Sequence, residues 1–317
     1  EEFVLNSPTV SSTKWWPGEL GVFCTHAVIH AQLYIAGKHY GVQAFVVQIR
    51  DFETHKPLKG ITVGDIGPKL GFPSKDNGFV RFDHVRIPRN HMLMKYAKVS
   101  KEGEFTRTGN EKFAYATMML VRLKIIAGCR NYLSITTTIA ARYSAFRKQF
   151  RDENGNEQVL LDYQTQVNKL MPLIAMIYAY NAIYSKVYSK YNEMMKRVRE
   201  NADFSNMPEL HSLLSGCKAF HTQDAQNGVE ICRQACGGHG YSTYSGIPVI
   251  FEVISPNVTL EGENTIMALQ AARYLIKSAQ RAIQDEKLDE TVEYLRKLKL
   301  GAPKKCEAQS KKDFDSL

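Results

Sequence analysis

Glu261 stands inside the eleven-residue segment Ser255 to Thr265, SPNVTLEGENT, where an apolar run gives way to an amphipathic one. A carboxylate on a short loop between two ordered elements is held in place, and Gly262 beside it lets another group approach closely. If the loop also excludes water, the carboxylate becomes a better proton acceptor. The same pattern supports a second reading, in which Glu261 and Glu263 are acidic first-turn residues favoured by the helix dipole. Arg142, Arg147, Lys148 and Arg151 lie together where a helix would end, a common solvated arrangement. Cys232, Cys236 and His239 are close in sequence, but no second clustered pair completes a four-ligand set, so no metal site is expected.

The elements that would position Glu261 follow from periodicity and turn chemistry. The run Pro248 to Leu260, rich in Val, Ile and Phe, reads as extended, with Pro256 and Asn257 as a turn. Asn264 is placed to cap a helix from Thr265 to about Asp285, whose apolar stripe is Leu269, Ala272, Leu275, Ile276, Ala279 and Ile283. Further back, the chain changes character near residue 100. Before it, His26 to Ile35, Val42 to Ile49 and Phe79 to Ile87 read as strands separated by Gly, Pro and the Asn77-Gly78 pair. After it, Lys112 to Gln149 and Tyr163 to Arg199 read as two very long helices, and Pro208 to about Cys236 as a third that ends at Gly237-Gly238. Gly237, Gly238 and Gly240 read as a cap and tight turn, since no strand precedes them. The expected class is α+β: an antiparallel β-domain, a small barrel or sandwich, over 1–105; an antiparallel four-helix bundle over 106–285; and a polar tail over 286–317.

Composition bounds the function. The 317 residues are 44% hydrophobic and 23% charged, an ordinary globular balance. The net charge of +9 favours anionic partners and by itself does not separate nucleic acid from a phosphorylated small molecule. Lys and Arg are scattered, apart from Lys304, Lys305, Lys311 and Lys312 in the tail, and the partner expected is the small molecule, with no nucleic acid. Six irregularly spaced cysteines suggest a reducing compartment. No apolar run reaches the ~18 residues of a membrane span.

Six stretches together carry a resemblance. They are LNSPTVSSTKWWPGELG from Leu5, THKPLKGITVGDIGPKLG from Thr54, DNGFVRFDHVRIPRNHMLMKYA from Asp76, RYSAFRKQF from Arg142, ACGGHGYSTYSGIP from Ala235 and LEGENTIMALQAARYL from Leu260. In that order the chain resembles the peroxisomal acyl-CoA oxidases, within the acyl-CoA dehydrogenase and oxidase superfamily. The resemblance covers residues 1 to about 280 and implies a truncated member: the middle β-domain and first C-terminal helical domain, without an N-terminal helical domain or a second C-terminal one.

That resemblance implies an FAD-dependent oxidation of a fatty acyl-CoA to a trans-2-enoyl-CoA, with dioxygen reduced to hydrogen peroxide, as the first step of peroxisomal β-oxidation. It gives Glu261 the role of base toward the pro-R α-proton, and the Glu261 backbone N–H that of donor to the thioester carbonyl, which Gly262 would let approach. Trp16 and Gly18 would wall the flavin, the bare Gly18 leaving room for dioxygen. Arg147 and Gln149 would contact the pyrophosphate and adenosine side, the Gly237-Gly238 turn would pass the cofactor of a partner subunit in a homodimer, and Glu263, Asn264 and Thr265 would face cofactor. Two alternatives accompany this reading: an acyl-CoA dehydrogenase with a protein electron acceptor, and a non-catalytic relative. Peroxisomal location comes from the family, because the C-terminal Asp315-Ser316-Leu317 is not a clear targeting signal.

Overall fold

The structure is a computed structural model and describes residues 1–109 and 112–300. The chain divides into two compact units, Glu1–Ala114 and the residues from Tyr115 onward.

The first unit is built from short antiparallel strands. They are β1 (Glu2–Leu5), β2 (Lys14–Gly18), β3 (His26–Ile35), β4 (Lys38–Gln48), β5 (Ile61–Asp65), β6 (Asn77–Phe82), β7 (Val85–Pro88), β8 (Ala97–Val99) and β9 (Phe105–Arg107). They pair as β1-β7, β2-β6-β5, β3-β4 and β8-β9, and no closed barrel forms among the described residues. Alternation drives this arrangement. Along β6 the inward positions Gly78, Val80 and Phe82 are buried and the intervening ones half-buried. Val80 and Phe82 join Ile29, Leu33, Phe45, Val47 and Ile49 in one apolar core, each fully buried large side chain contributing about 1.5–3 kcal/mol. The single strand expected over Phe79 to Ile87 is two strands. It breaks at Asp83-His84, where His84 adopts φ +48 and the chain crosses from β6 to β7.

The second unit is helical. It contains α1 (Lys112–Phe146), the hairpin β10 (Lys148–Arg151) and β11 (Glu157–Val159), α2 (Gln164–Asn201), α3 (Met207–Ala235), the single turn α4 (Gly238–Tyr241), α5 (Ile247–Ile254), a 3-10 turn Ser255–Val258 and α6 (Asn264–Ile283). The core holds Cys129, Leu133 and Ala140 of α1, Leu170, Leu173 and Tyr180 of α2, Ala225, Val229 and Cys232 of α3, and Ile247 and Ile254 of α5. α3 carries buried residues along its whole length. At Gly228 a side chain would collide with its neighbours, since a Cβ there would lie 2.6 Å from Leu133 Cδ1 and 3.1 Å from Leu173 Cδ2.

Two expectations change here. Pro248 to Leu260 is not extended: it folds as α5 and the 3-10 turn. Gly246 at φ +74 starts the helix, Pro248 sits in its first turn where a missing N–H costs nothing, and Ile247 and Ile254, seven apart, face one core. The β-branched run therefore serves a buried helix. Past residue 286, Glu290–Leu300 forms a 3-10 helix, and Leu288 and Val292 pack with Ala282, where the sequence suggests polar tail. The Lys-rich end and Asp315-Ser316-Leu317 lie outside the described residues.

Candidate active site

The Glu261 loop is strained and clamped. Glu261 has φ +54 and Gly262 φ +106, two consecutive left-handed residues in the short connection between the 3-10 turn and α6. A non-glycine residue in that region costs on the order of 1–2 kcal/mol, so the surroundings must hold it there. They do so through the carbonyls. Arg122 Nε of α1 donates to the Glu261 oxygen at 3.2 Å, and Lys218 Nζ of α3 donates to the Gly262 oxygen at 2.6 Å. Below Gly262 lies the Met267 side chain, which any Cβ on Gly262 would strike. The Glu261 side chain is exposed, and its backbone N–H bonds to none of the described residues.

The capping of α6 differs from the expectation. Glu263 is the cap: its carboxylate accepts from the Thr265 N–H at 2.9 Å and from the Thr265 hydroxyl at 3.2 Å. Those bonds, the backbone one foremost, hold its pKa below the usual carboxylate value. Asn264 instead turns inward, accepting from Lys218 Nζ at 3.0 Å and donating to the Ala219 carbonyl at 3.2 Å. The charged residue takes the solvent side of the helix dipole, and the neutral amide satisfies buried groups on α3.

A second group gathers at the far end of α1. Arg147, Gln149, Gly237 and Gly238 line one cleft of about 600 Å³, together with Tyr143 and Gln166. α1 stops at Phe146 rather than Gln149 because the chain turns directly into β10, which carries Gln149 along the cleft edge. Arg147 Nη2 donates to Gln149 Oε1 at 3.3 Å, and the Tyr163 hydroxyl holds the Gln149 carbonyl at 2.9 Å. On the other wall α3 ends at Ala235, Gly237 takes φ +55, and α4 begins at Gly238. His239 is also at this cleft, its ring 5.6 Å from Tyr143. An exposed guanidinium, an amide and a turn free of side chains fit a diphosphate.

In the first unit, Trp16 and Gly18 share β2. Trp15 stacks on Phe79 with ring centroids 5.3 Å apart, whereas Trp16 adopts φ +83 at a register shift and is exposed. Asn77 Nδ2 donates to the Trp16 carbonyl at 2.8 Å, fixing that bulge. The space beside Gly18 is not open: Lys75 Cε lies 3.2 Å from where a Cβ would sit, and its ammonium pairs with Glu19. The structure thus presents the expected residues as three groups, the Glu261 loop, the Arg147 cleft and the β2 edge.

The residues absent from the sequence reading are Arg122, Lys218 and Gln166. Lys218 had a signal: it falls on the stripe Leu214, Lys218, Thr222, Ala225, Val229, a cation at a position where helical spacing demands a buried group. Among the described residues, no group of three or more His, Cys, Asp or Glu side chains is arranged to hold a metal, and no helix is long and apolar enough to cross a membrane.

An antiparallel β unit followed by long helices, with a carboxylate loop ahead of the last of them, is the acyl-CoA dehydrogenase-like fold. Residues 115–276 match the family described as acyl-CoA oxidase, C-alpha1 domain, and the chain belongs to the acyl-CoA oxidase family. It is 47% identical over 299 residues to peroxisomal acyl-coenzyme A oxidase 1 of Homo sapiens, covering 94% of this chain and 45% of that protein. It is 46% identical over 283 residues to the peroxisomal acyl-coenzyme A oxidase 1 of Arabidopsis thaliana, covering 88% and 42%. Among solved structures, Arabidopsis thaliana acyl-CoA oxidase 1 superposes with a TM-score of 0.92 at 42% identity, over 99% of this chain and 48% of that one. Caenorhabditis elegans acyl-CoA oxidase-1, complexed with FAD and ATP, superposes with a TM-score of 0.86 at 41% identity, over 96% and 44%. The chain thus spans less than half the length of the relatives it matches.

Proposed function

We propose that this chain belongs to an FAD-dependent acyl-CoA oxidase that converts fatty acyl-CoA to trans-2-enoyl-CoA and reduces dioxygen to hydrogen peroxide, as the first step of peroxisomal fatty-acid β-oxidation. The observation that carries this reading is the Glu261 loop, an exposed carboxylate on a backbone clamped through the Glu261 and Gly262 carbonyls, whose own N–H bonds to none of the described residues, in a chain of the acyl-CoA oxidase family.

In the proposed reaction the Glu261 carboxylate takes the α-proton of the thioester, so the α C–H bond breaks and its electron pair moves toward the carbonyl oxygen. An α-proton beside a thioester is too weakly acidic for a carboxylate unless that oxygen is stabilised, and the Glu261 N–H is the donor this chain offers for it. Gly262 supplies the close approach. Bound FAD would accept the β-hydride and pass the electrons to dioxygen. For holding it, Arg147 and Gln149 suit the diphosphate, the Gly237-Gly238 turn presents backbone without side chains, and exposed Trp16 suits an aromatic ring system. The fit is good at the diphosphate, where the cleft already collects the donors. We assign Glu263 and Thr265 to the cap of α6 and Asn264 to the support of the loop, with cofactor contact at their exposed edges. The enzyme would work as a homodimer in the peroxisome, as the naming of its relatives suggests for location.

The test is direct. Purified protein should be yellow and form peroxide from palmitoyl-CoA, and Glu261→Gln should stop turnover while leaving flavin bound. Turnover that survives in Glu261→Gln would remove Glu261 from the role of base.

A further inference from the structure

Two buried cations act on the backbone that carries Glu261, and the reaction as described uses neither. Lys218 is completely buried on α3, yet its ammonium has only two acceptors among the described residues, the Gly262 carbonyl and the Asn264 side chain. Both lie within the four residues Glu261 to Asn264. A lysine that merely filled the core would be replaced without loss by an apolar side chain of similar length, because an interior charge is costly unless its protons are used. Arg122, 7% exposed on α1, completes the arrangement through the Glu261 carbonyl, with Nη1 lying 3.4 Å from His211 Nδ1.

We propose that Lys218, with Arg122, is a positioning residue for proton abstraction: by holding two consecutive carbonyls it keeps Glu261 in its left-handed conformation, aiming carboxylate and backbone N–H at one thioester. The proposal rests on the reaction assigned to Glu261 above. The clamp is strong enough, since charge-assisted hydrogen bonds outweigh the cost of one left-handed residue. Lys218 transfers no proton. The proton goes from the α-carbon to the Glu261 carboxylate, and the electron pair to the thioester oxygen. Loss of the clamp lets the peptide rotate toward an ordinary φ, which displaces both groups together.

The experiment isolates that step. An acyl-CoA with sulfur in place of the β-carbon has no β-hydride to lose, so exchange of its α-hydrogens in heavy water, followed by mass spectrometry, reports deprotonation alone. In Lys218→Met, exchange should slow on the order of 100-fold, the scale expected for an ångström of misplacement. Flavin content and affinity for the analogue should stay as in the wild type, a split that general destabilisation would not give.

The wild-type pH profile is a second measurement and needs no variant. Burial and then Arg122 bring the Lys218 pKa down to about 8, against the opposing pull of the Glu263 and Glu261 carboxylates on the loop. The Cys129 thiol is pushed up to about 12 and stays protonated there. Exchange should therefore fall as pH rises through about 8, and that descending limb should vanish in Lys218→Met. Wild-type exchange that is flat through this range, or a Met variant that exchanges at the wild-type rate, would overturn the proposal. Failure of the wild type itself to exchange would instead overturn the assigned reaction.

Discussion

Arg147 Nη2 meets Gln149 Oε1 at 3.3 Å across the break between α1 and β10, so a helix end and a strand edge present one paired donor set to the same cleft. The pairing keeps an exposed guanidinium near the place a diphosphate would need it without burying it beforehand. Replacing Arg147 by Ala should therefore weaken FAD binding by about 1.5–3 kcal/mol, the range for a hydrogen bond to a charged partner, or roughly 10- to 150-fold. Flavin fluorescence titration of the apoprotein measures this. The melting temperature without FAD should not move, because the side chain is exposed.

Gly262→Ala tests the loop from the other side. The new Cβ meets two obstacles at once: a φ of +106, which an L side chain rarely adopts, and the Met267 side chain beneath. The first costs about 1–2 kcal/mol and overpacking about 1–3 kcal/mol, so thermal stability should drop measurably and turnover should fall with it. The double variant Gly262→Ala, Met267→Ala removes the clash but keeps the left-handed strain and leaves a cavity where the buried Met267 side chain stood, so neither stability nor rate should return to wild type. Full recovery of both would show that Met267 alone mattered.

What the sequence made legible, and what it hid, follows from how local each signal is. β3 falls where ten alternating residues lie between turn signals, and α3 begins and ends within a residue of the positions that Pro208 and the Gly237-Gly238 pair indicate. The α5 segment was hidden because Val, Ile and Phe suit a strand or a buried helix equally. Burial of Ile247 and Ile254 on one core, a tertiary fact, decides it. The Arg147 cleft was legible as residues but not as a shape, because no local pattern says that Gln166 of α2 reaches back to the end of α3. Glu261 was visible through its neighbour Gly262. Its left-handed backbone is held by Arg122, 139 positions away, and through Gly262 by Lys218, 44 positions from that glycine.

Glu263 should show its role in the pH dependence of stability. Its folded pKa lies below the ordinary value of 4.5, chiefly because its carboxylate accepts the Thr265 N–H. A group depressed in this sense stabilises the fold above the unfolded pKa, and the stabilisation is lost as pH falls through the folded one. Glu263→Ala should thus lower the melting temperature at neutral pH, and the gap between variant and wild type should narrow on acidification below about 4.5. Peroxide formation should persist in the variant, unlike in Glu261→Gln. Loss of turnover with an unchanged melting curve would instead make Glu263 part of the chemistry.

Gln166 ties three helices together at the floor of the cleft. It is buried on α2, and its Nε2 donates to Ser144 Oγ of α1 at 2.8 Å and to the Ala235 carbonyl of α3 at 2.9 Å. Leu at this position keeps roughly the volume but leaves the Ala235 oxygen without that donor, a cost of about 1–3 kcal/mol. The melting temperature should fall while helix content by circular dichroism stays the same. FAD affinity should fall too, because the carbonyl released belongs to the wall that leads into Gly237. Gln166→Glu should be worse than Leu, since a carboxylate offers no donor and faces the Ala235 carbonyl with like charge. Gln164, exposed two residues earlier with its side-chain amide on Asn168 at 2.8 Å, provides the control. Gln164→Leu should stay within about 0.5 kcal/mol of wild type. If the two leucine variants behave alike, the cleft floor does not depend on the Gln166 bridge.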